Sequence, residues 1–398
     1  MFEHVDYYPG DPILGLNDLY NKDTRAEKVN LGVGVYYDEE GRLPLLGSVL
    51  KAEEARAKAP SARPYLPMDG LPAYNKAVQR LLFGADSAAV VADRVATIQS
   101  IGGSGALRVG AEFVKQYFPQ STVYVSKPTW GNHISIFEAT GLEVSEYPYY
   151  DAATGGVAFD ALIEKFNSLN KHDVVLLHPC CHNPTGVDLT PAQWDKVIEV
   201  VQARELIAFM DIAYQGFGDD FESDVYAIRA AEKAGLSYFV SSSFSKNLSF
   251  YGERLGALSV VSPNAEEKKL VLSQLKYIVR RLYSNPPCHP AIIAVDVLND
   301  EALFKEWTDE VAEMRVRIKA MRQRLFEVLS AKVPGRDFSY ITTQRGMFSF
   351  SGLSPAQVER LIQDYGIYLV KNGRMCVAGL NTKNIEYVAN AFADVLKD

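Results

Sequence analysis

Six polar residues stand where apolar runs give way to loops: Asn183, Asp211, Tyr214, Ser243, Lys246 and Arg254. In SSSFSKN a lysine follows an apolar run and a serine-rich turn, so the stem of Lys246 is expected to be partly buried. Burial disfavours the ammonium form, and an amine tuned in this way can form a Schiff base with a carbonyl compound. Asp211 closes the apolar run LIAFMD. A carboxylate at a buried strand end needs a cation to offset its desolvation, and a protonated ring nitrogen would be such a cation. Gly103 and Ser104 follow another apolar run at the start of a helical pattern, where backbone N–H groups and a hydroxyl can hold a phosphate. Taken singly, Lys246 reads as a surface lysine, Trp130 and Tyr214 as core aromatics, Asp211 as a loop carboxylate and Gly34 as a turn residue. Their joint spacing gives each of them weight.

The elements that must position these groups can be read from the apolar pattern. Between residues 95 and 260, short apolar runs alternate with amphipathic segments, as in a βα-repeating and mainly parallel sheet. Strands are expected at Val95 to Ser100, Val123 to Ser126, Val144 to Tyr147, Val174 to His178, Leu206 to Asp211, Tyr238 to Ser243 and Leu255 to Val261. Open α/β sheets place ligands outside the carboxyl ends of their strands, where several of these runs meet polar or Gly-rich residues. Thr190-Pro191 and Ser354-Pro355 each put a capping residue before a proline at the first helical position. A long charged helical pattern runs from Glu301 to Leu329, followed by a strand and helix set from Phe338 to Leu396. The expected division is a large domain over 47–313 and a small α+β domain made of 1–46 and 314–398.

Composition narrows the function classes. The chain has 398 residues, 47% hydrophobic and 23% charged, which is ordinary for a globular protein of two domains. A net charge of −8 weakens a nucleic-acid reading, and the basic pairs Lys268-Lys269 and Arg280-Arg281 are short. Acids at Glu3 and Asp6 do not suit a signal peptide, and no run of 18 apolar residues occurs, so a cytoplasmic protein without membrane partners is expected. Cys180, Cys181, Cys288 and Cys376 form no C-x-x-C pair, and the neighbours Cys180 and Cys181 read as small core residues. His178 and His182 flank them at a spacing that suits no common metal site, so no metal is expected. The GGSG stretch fails the dinucleotide template, because from Gly103 the third small residue would fall on Arg108. P-loop, H-E-x-x-H and G-x-S-x-G patterns are absent from the sequence.

Several longer strings agree with one family in order and spacing. CCHNPTG, MDIAYQGF, SSSFSKNLSFYGERLG and YSNPP, with DPILGL, LGVGVYYDEEG, YLPMDGLPAY, GGSGALR, GMFSFSGL and GRMCVAGL, resemble the class I aminotransferases over nearly the whole chain. The branch is that of aspartate and aromatic-amino-acid aminotransferases. The resemblance implies fold type I, pyridoxal 5′-phosphate as cofactor, amino acids and 2-oxo acids as substrates, and a homodimer with shared active sites. It makes Lys246 the Schiff-base lysine and proton shuttle, with Asp211 on the pyridine nitrogen. Tyr214 and Asn183 would meet the ring's phenolic oxygen, Trp130 would stack on the ring, and His133 would support Asp211 with His178 nearby. Gly103, Ser104, Ser243 and Arg254 would bind the phosphate, joined by Tyr65 from the neighbouring subunit. Gly34, Trp130, Asn183 and Arg374 would touch substrate, Arg374 taking its α-carboxylate as a planar fork. Arg280 would meet a side-chain carboxylate across the dimer interface.

Substrate preference is mixed in the sequence. Tyr37, Pro64 and Ser104 resemble aromatic-accepting members, whereas Asn285 and the retained Arg280 follow the aspartate type. Dual use is therefore expected, with phenylalanine, tyrosine and aspartate as donors and 2-oxoglutarate as acceptor. The alternatives are a strictly aspartate-selective enzyme or a β-eliminase or carbon–sulfur lyase on the same scaffold. A DNA-binding regulator lacks a module, since Pro9, Gly10, Pro12 and Gly15 do not suit a helix-turn-helix.

Overall fold

The computed structural model describes residues 1–8 and 10–397. The chain divides into two compact units, Pro44–Arg315 and Met1–Leu43 with Val316–Asp398.

The larger unit holds a seven-stranded sheet. Its strands are β1 (Val95–Ile101), β2 (Thr122–Lys127), β3 (Glu143–Pro148), β4 (Val174–Leu177), β5 (Ile207–Ile212), β6 (Tyr238–Ser243) and β7 (Leu255–Val261). The spatial order is β1-β7-β6-β5-β4-β2-β3. All neighbouring pairs are parallel except those of β7, which runs antiparallel to both β1 and β6. Each of the seven apolar runs forms a strand, shifted by at most one residue at its ends. The central strands β4, β6 and β7 are buried along their whole length because both faces are covered, whereas β3 at the sheet edge is mostly exposed or half-buried. Phe209, Phe239, Leu258 and Ile98 from the sheet meet Leu107, Val114 and Phe137 from the helices Gly102–Tyr117 and Gly131–Glu138 in one core.

Thr190 and Ser354 start their helices as the capping pattern requires. Each accepts the N–H of the residue three on, Gln193 or Gln357, whose side chain returns the bond. The N-terminal segment holds one helix, Pro12–Lys22, started by Asp11, whose carboxylate accepts the N–H groups of Ile13 and Leu14. The charged pattern after Glu301 is a single 32-residue helix, Glu301–Lys332.

The smaller unit has very short strands. Val29–Asn30 pairs in parallel with Ile367–Tyr368, and Phe348–Phe350 pairs antiparallel with Arg374–Cys376. Two or three residues carry no readable periodicity, so these pairings could not be drawn from the pattern.

Candidate active site

In the larger unit the polar residues of the sequence reading gather at the carboxyl ends of β5, β6 and β4. Asp211 is the last residue but one of β5, beside Ser241 in the neighbouring β6. Its side chain is 10% exposed, and His133 Nε2 lies 2.8 Å from its Oδ2. His133 is buried in the helix Gly131–Glu138, which Trp130 precedes as N-cap. The Trp130 and His133 rings meet edge to face at 5.1 Å.

Behind His133 the hydrogen bonds continue in one direction. Thr129 Oγ1 is 2.9 Å from His133 Nδ1 and 3.4 Å from His178 Nε2. The backbone N–H of Asn183 donates to His178 Nδ1 at 3.4 Å. An amide can only donate, so His178 Nδ1 is an acceptor and its proton sits on Nε2, which points that proton at Thr129. Thr129 then donates to His133 Nδ1, which leaves the Nε2 proton of His133 for Asp211. Every donor meets an acceptor with both imidazoles neutral. The electrostatics agree for His178: burial and the neighbouring His133 push it down to about 3, against a smaller upward pull from Asp211. His182 is likewise held far below the usual imidazole range by burial, and Ser126 and Thr185 each approach one of its ring nitrogens at 2.8 Å.

For Asp211 the balance goes the other way. Burial, the largest influence, raises its carboxyl, but the hydrogen bond from His133, the electrostatics of the neighbouring His133 and His178 rings and a bond from Ser241 together hold it below the ordinary carboxylate range. Asp211 is therefore an ionised acid in a nearly dry place.

Tyr214 and Asn183 are buried close by in the chain, each just beyond a strand end. Lys246 follows β6 in the turn after Ser245, is half-buried, and its Nζ lies 5.0 Å from the centre of the Tyr214 ring. The cation over a ring face sets these two residues side by side.

A second group lies where β1 runs into the helix Gly102–Tyr117. Gly102 has φ +64°, and a Cβ there would come within 2.5 Å of Arg254 Nη2. The left-handed backbone there favours glycine, and a side chain would also have to displace the Arg254 guanidinium. A Cβ on Gly103 would sit 3.3 Å from Ser243 Cβ. Ser243 Oγ and Ser245 Oγ are 3.1 Å apart, and Arg254 Nη1 donates to Ser245 Oγ at 3.3 Å and to the carbonyl of Tyr251 at 2.9 Å. Among the described residues no carboxylate pairs with Arg254. A guanidinium, serine hydroxyls and the N-terminus of a 16-residue helix are together groups that could hold a dianion.

The smaller unit contains the other arginine. Arg374, buried in the strand Arg374–Cys376, donates from Nη2 to the carbonyl of Gly32 at 2.5 Å, and its guanidinium lies 4.5 Å over the Phe348 ring. A Cβ on Gly34 would strike the same ring, 2.7 Å from Phe348 Cζ.

Two expected site residues are not drawn into these groups. Tyr65 is 91% exposed in a stretch without regular structure. Arg280 is exposed in the last turn of Ala265–Leu282 and is bonded to the Ser284 hydroxyl. Among the described residues neither shares a hydrogen bond, ion pair or ring contact with the Asp211 or Arg254 groups. Thr129, Ser241, Ser245 and Gly102 were not singled out from the sequence. The serine run in SSSFSK and the fourfold spacing of Thr129 and His133 were the signals for three of them.

Cys180, Cys181 and Asp224 place a potential ligand atom each within 4.8 Å of one another. Asp224 already accepts N–H bonds from Gly216, Gly218 and Asp219, and the Cys180 thiol is pushed well up by its bond with Cys181 and by burial. Metal binding needs the thiolate, so these residues read as core and turn structure.

Comparisons with known proteins give the family. The profile of the family described as aminotransferase class I and II matches residues 26–392. An aromatic-amino-acid aminotransferase from Escherichia coli (strain K12) is 57% identical over 397 residues, covering 100% of both chains. The structure of a psychrophilic aromatic amino acids aminotransferase from Psychrobacter sp. B6, cocrystallised with aspartic acid, superposes with a TM-score of 0.99 at 60% identity over 100% of both chains. That of an aromatic-amino-acid aminotransferase from Burkholderia pseudomallei, covalently bound to pyridoxal phosphate, gives 0.98 at 53% identity, covering 100% of this chain and 99% of that one. Matched over most of its length by that profile and over its whole length by such relatives, this chain belongs to the class I and II aminotransferases.

Proposed function

We propose that this chain exchanges amino groups between aromatic amino acids or aspartate and 2-oxoglutarate in a ping-pong cycle, with pyridoxal 5′-phosphate as its cofactor. The observation that carries the cofactor reading is Asp211. Burial raises its carboxyl, yet the His133 bond and its neighbours hold it below the ordinary range, which suits a partner for a protonated ring nitrogen. The residues fit the other end of the molecule too, since Gly102 and Gly103 leave room beside Arg254 and Ser243 for a phosphate. Bound there, the cofactor supplies an aldehyde that accepts the amino group and an electron-poor ring that loosens the donor's Cα proton.

Each side chain then has a distinct task. Lys246 Nζ is the base that would take the Cα proton and return it to the cofactor's C4′, an amine tethered beside its target. Asp211 holds the proton on the ring nitrogen, while Tyr214 and Asn183 donate to the phenolic oxygen and Trp130 covers the ring. Gly103, Ser104, Ser243 and Arg254 hold the phosphate. Arg374 takes the α-carboxylate, its guanidinium steadied by the Gly32 carbonyl and the Phe348 ring, and Gly34 lets the backbone lie close to the substrate.

The exposure of Tyr65 and Arg280 supports a homodimer in which each reaches the site of a second copy, Tyr65 to the phosphate and Arg280 to a dicarboxylic side chain. Four free cysteines support a reducing, cytoplasmic setting, and no described helix is long and apolar enough to cross a membrane. Dual donor use is favoured by Tyr37 and Ser104 together with Arg280.

Borohydride reduction followed by peptide mass spectrometry is expected to leave a pyridoxyl group on Lys246. Cofactor-saturated protein without that adduct overturns the mechanism. Phenylalanine and aspartate should each yield their oxo acid and an aminated cofactor, whereas release of pyruvate and ammonia from a donor with a leaving group on Cβ, such as a cysteine thioether, would indicate elimination. A preference for aspartate of about a hundredfold in kcat/KM would remove the aromatic assignment.

A further inference from the structure

Arg317, on the helix Glu301–Lys332, does not belong to the constellation above, yet its guanidinium ties together the two segments of the smaller unit that carry substrate-facing residues. Its Nε donates to Tyr36 Oη at 2.8 Å and its Nη1 to the carbonyl of Leu380 at 2.6 Å. Its Nη2 bonds the carbonyl of Tyr37 and that of Ala378, the latter at 3.1 Å. The guanidinium carbon lies 4.7 Å over the Tyr36 ring. Glu39 Oε2 stands 3.8 Å from Nη1, and Glu39 in turn accepts the N–H of Thr382 at 2.7 Å.

Other bonds join the same two segments, among them Cys376 Sγ to the Val35 carbonyl at 3.5 Å and Lys383 Nζ to Glu40 at 2.6 Å. Backbone bonds join Cys376 N to Leu31 O at 2.7 Å and Tyr37 N to Ala378 O at 3.3 Å, and Arg374 reaches Gly32. Gly34 sits between these anchors on the first segment, and the second begins at Arg374. Arg317 closes the far end of both, three carbonyls and a hydroxyl on one rigid fork.

We propose that Arg317 is a positioning residue for the amino-acid substrate: by fixing residues 34–37 against residues 374–380 it sets where Gly34, Tyr37 and Arg374 meet the donor. This inference rests on the reading of Arg374 and Gly34 as substrate contacts. Lysine cannot replace it fully, because a single ammonium has three donors and no planar fork to span four acceptors. A residue that only stabilised the unit would lower the melting temperature and leave substrate affinity alone.

The test compares Arg317→Met, Arg317→Lys and Tyr36→Phe with the parent holoenzyme, by steady-state kinetics on phenylalanine and aspartate alongside thermal melting. Arg317→Met is expected to raise KM for both donors about tenfold, with kcat changed less than roughly threefold, since binding geometry is lost while the base and the cofactor residues stay in place. Because Tyr37 is held through its carbonyl, the ratio of the two specificity constants should move as well. Arg317→Lys should recover part of the loss, and Tyr36→Phe, which removes one acceptor and keeps the ring, should raise KM about two- to threefold. A lowered melting temperature with KM and donor ratio unchanged overturns the proposal. If Arg317→Met does not fold, Tyr36→Phe and Arg317→Lys decide, and parental KM values in both overturn it. Arg374→Lys is the control: if it too leaves KM unchanged, the carboxylate site itself has been misread and not only the clamp.

Discussion

The two units hold their functional residues in place by different means. Around Asp211 the larger unit uses side chain on side chain, a directional series through His133, Thr129 and His178 hung from strands four to seven residues long. The smaller unit has strands of two or three residues, and arginines there donate to two or three backbone carbonyls each, where Arg80, Arg204 and Arg315 of the larger unit each reach one. Arg322 reaches the carbonyls of Ile341, Gly346 and Phe348, Arg317 those of Tyr37, Ala378 and Leu380, and Arg25 those of Ile362 and Gln363. Where a long ladder supplies the backbone bonds, side chains are available to tune charge. Where it does not, charge is spent on holding the chain.

That contrast can be broken from either side. Asp211→Asn keeps the shape of the larger unit's network but removes its charge, and kcat/KM should fall roughly thousandfold, measured with cofactor in excess, because about 4 kcal/mol of ring-charge stabilisation is lost. A fall of less than tenfold would mean that the acid is not paired with a ring cation. In the smaller unit Arg374→Lys should raise KM for both donors about a hundredfold by removing the bidentate fork. Arg322→Met is expected to lower stability in denaturant titration by about 2–4 kcal/mol, since three buried carbonyls lose a donor, with little change in kcat for the folded fraction. Arg280→Ala should cost aspartate about ten- to thirtyfold in kcat/KM and phenylalanine far less; equal losses would separate it from the dicarboxylic side chain.

The smallest effect sharpens the account of charge. Asp211 is a carboxyl held below its ordinary range, so its ionised form persists as pH falls and is lost only below the unfolded-state value. His133→Phe removes the strongest influence holding it down and leaves burial, which raises it. The acid limb of the kcat/KM profile should therefore move to higher pH, read between about pH 4 and 8. An unmoved limb would show that His133 does not set the charge.

The same contrast explains what could be read in advance. The seven-stranded sheet was legible because buried parallel strands are unbroken apolar runs, and Thr190 and Ser354 because a cap before proline has few other uses. The direction of β7 was not, since apolar content does not record which way a strand points. Asp211, Lys246 and Arg254 stood out by lying where those runs end. Arg317 and Arg322 did not, because a charged residue on a long helix looks like any solvated one, and its carbonyl partners lie about 20 to 280 residues away with no side-chain signature of their own. Thr129 was passed over for a similar reason: a threonine bridging two imidazoles is ordinary in type and special only in place.

His178 and His182 are kept uncharged well below neutrality by their burial. Acidification across the physiological range therefore leaves the proton count of these two rings unchanged. An inflection found near neutral pH in this enzyme would have to be sought in other groups.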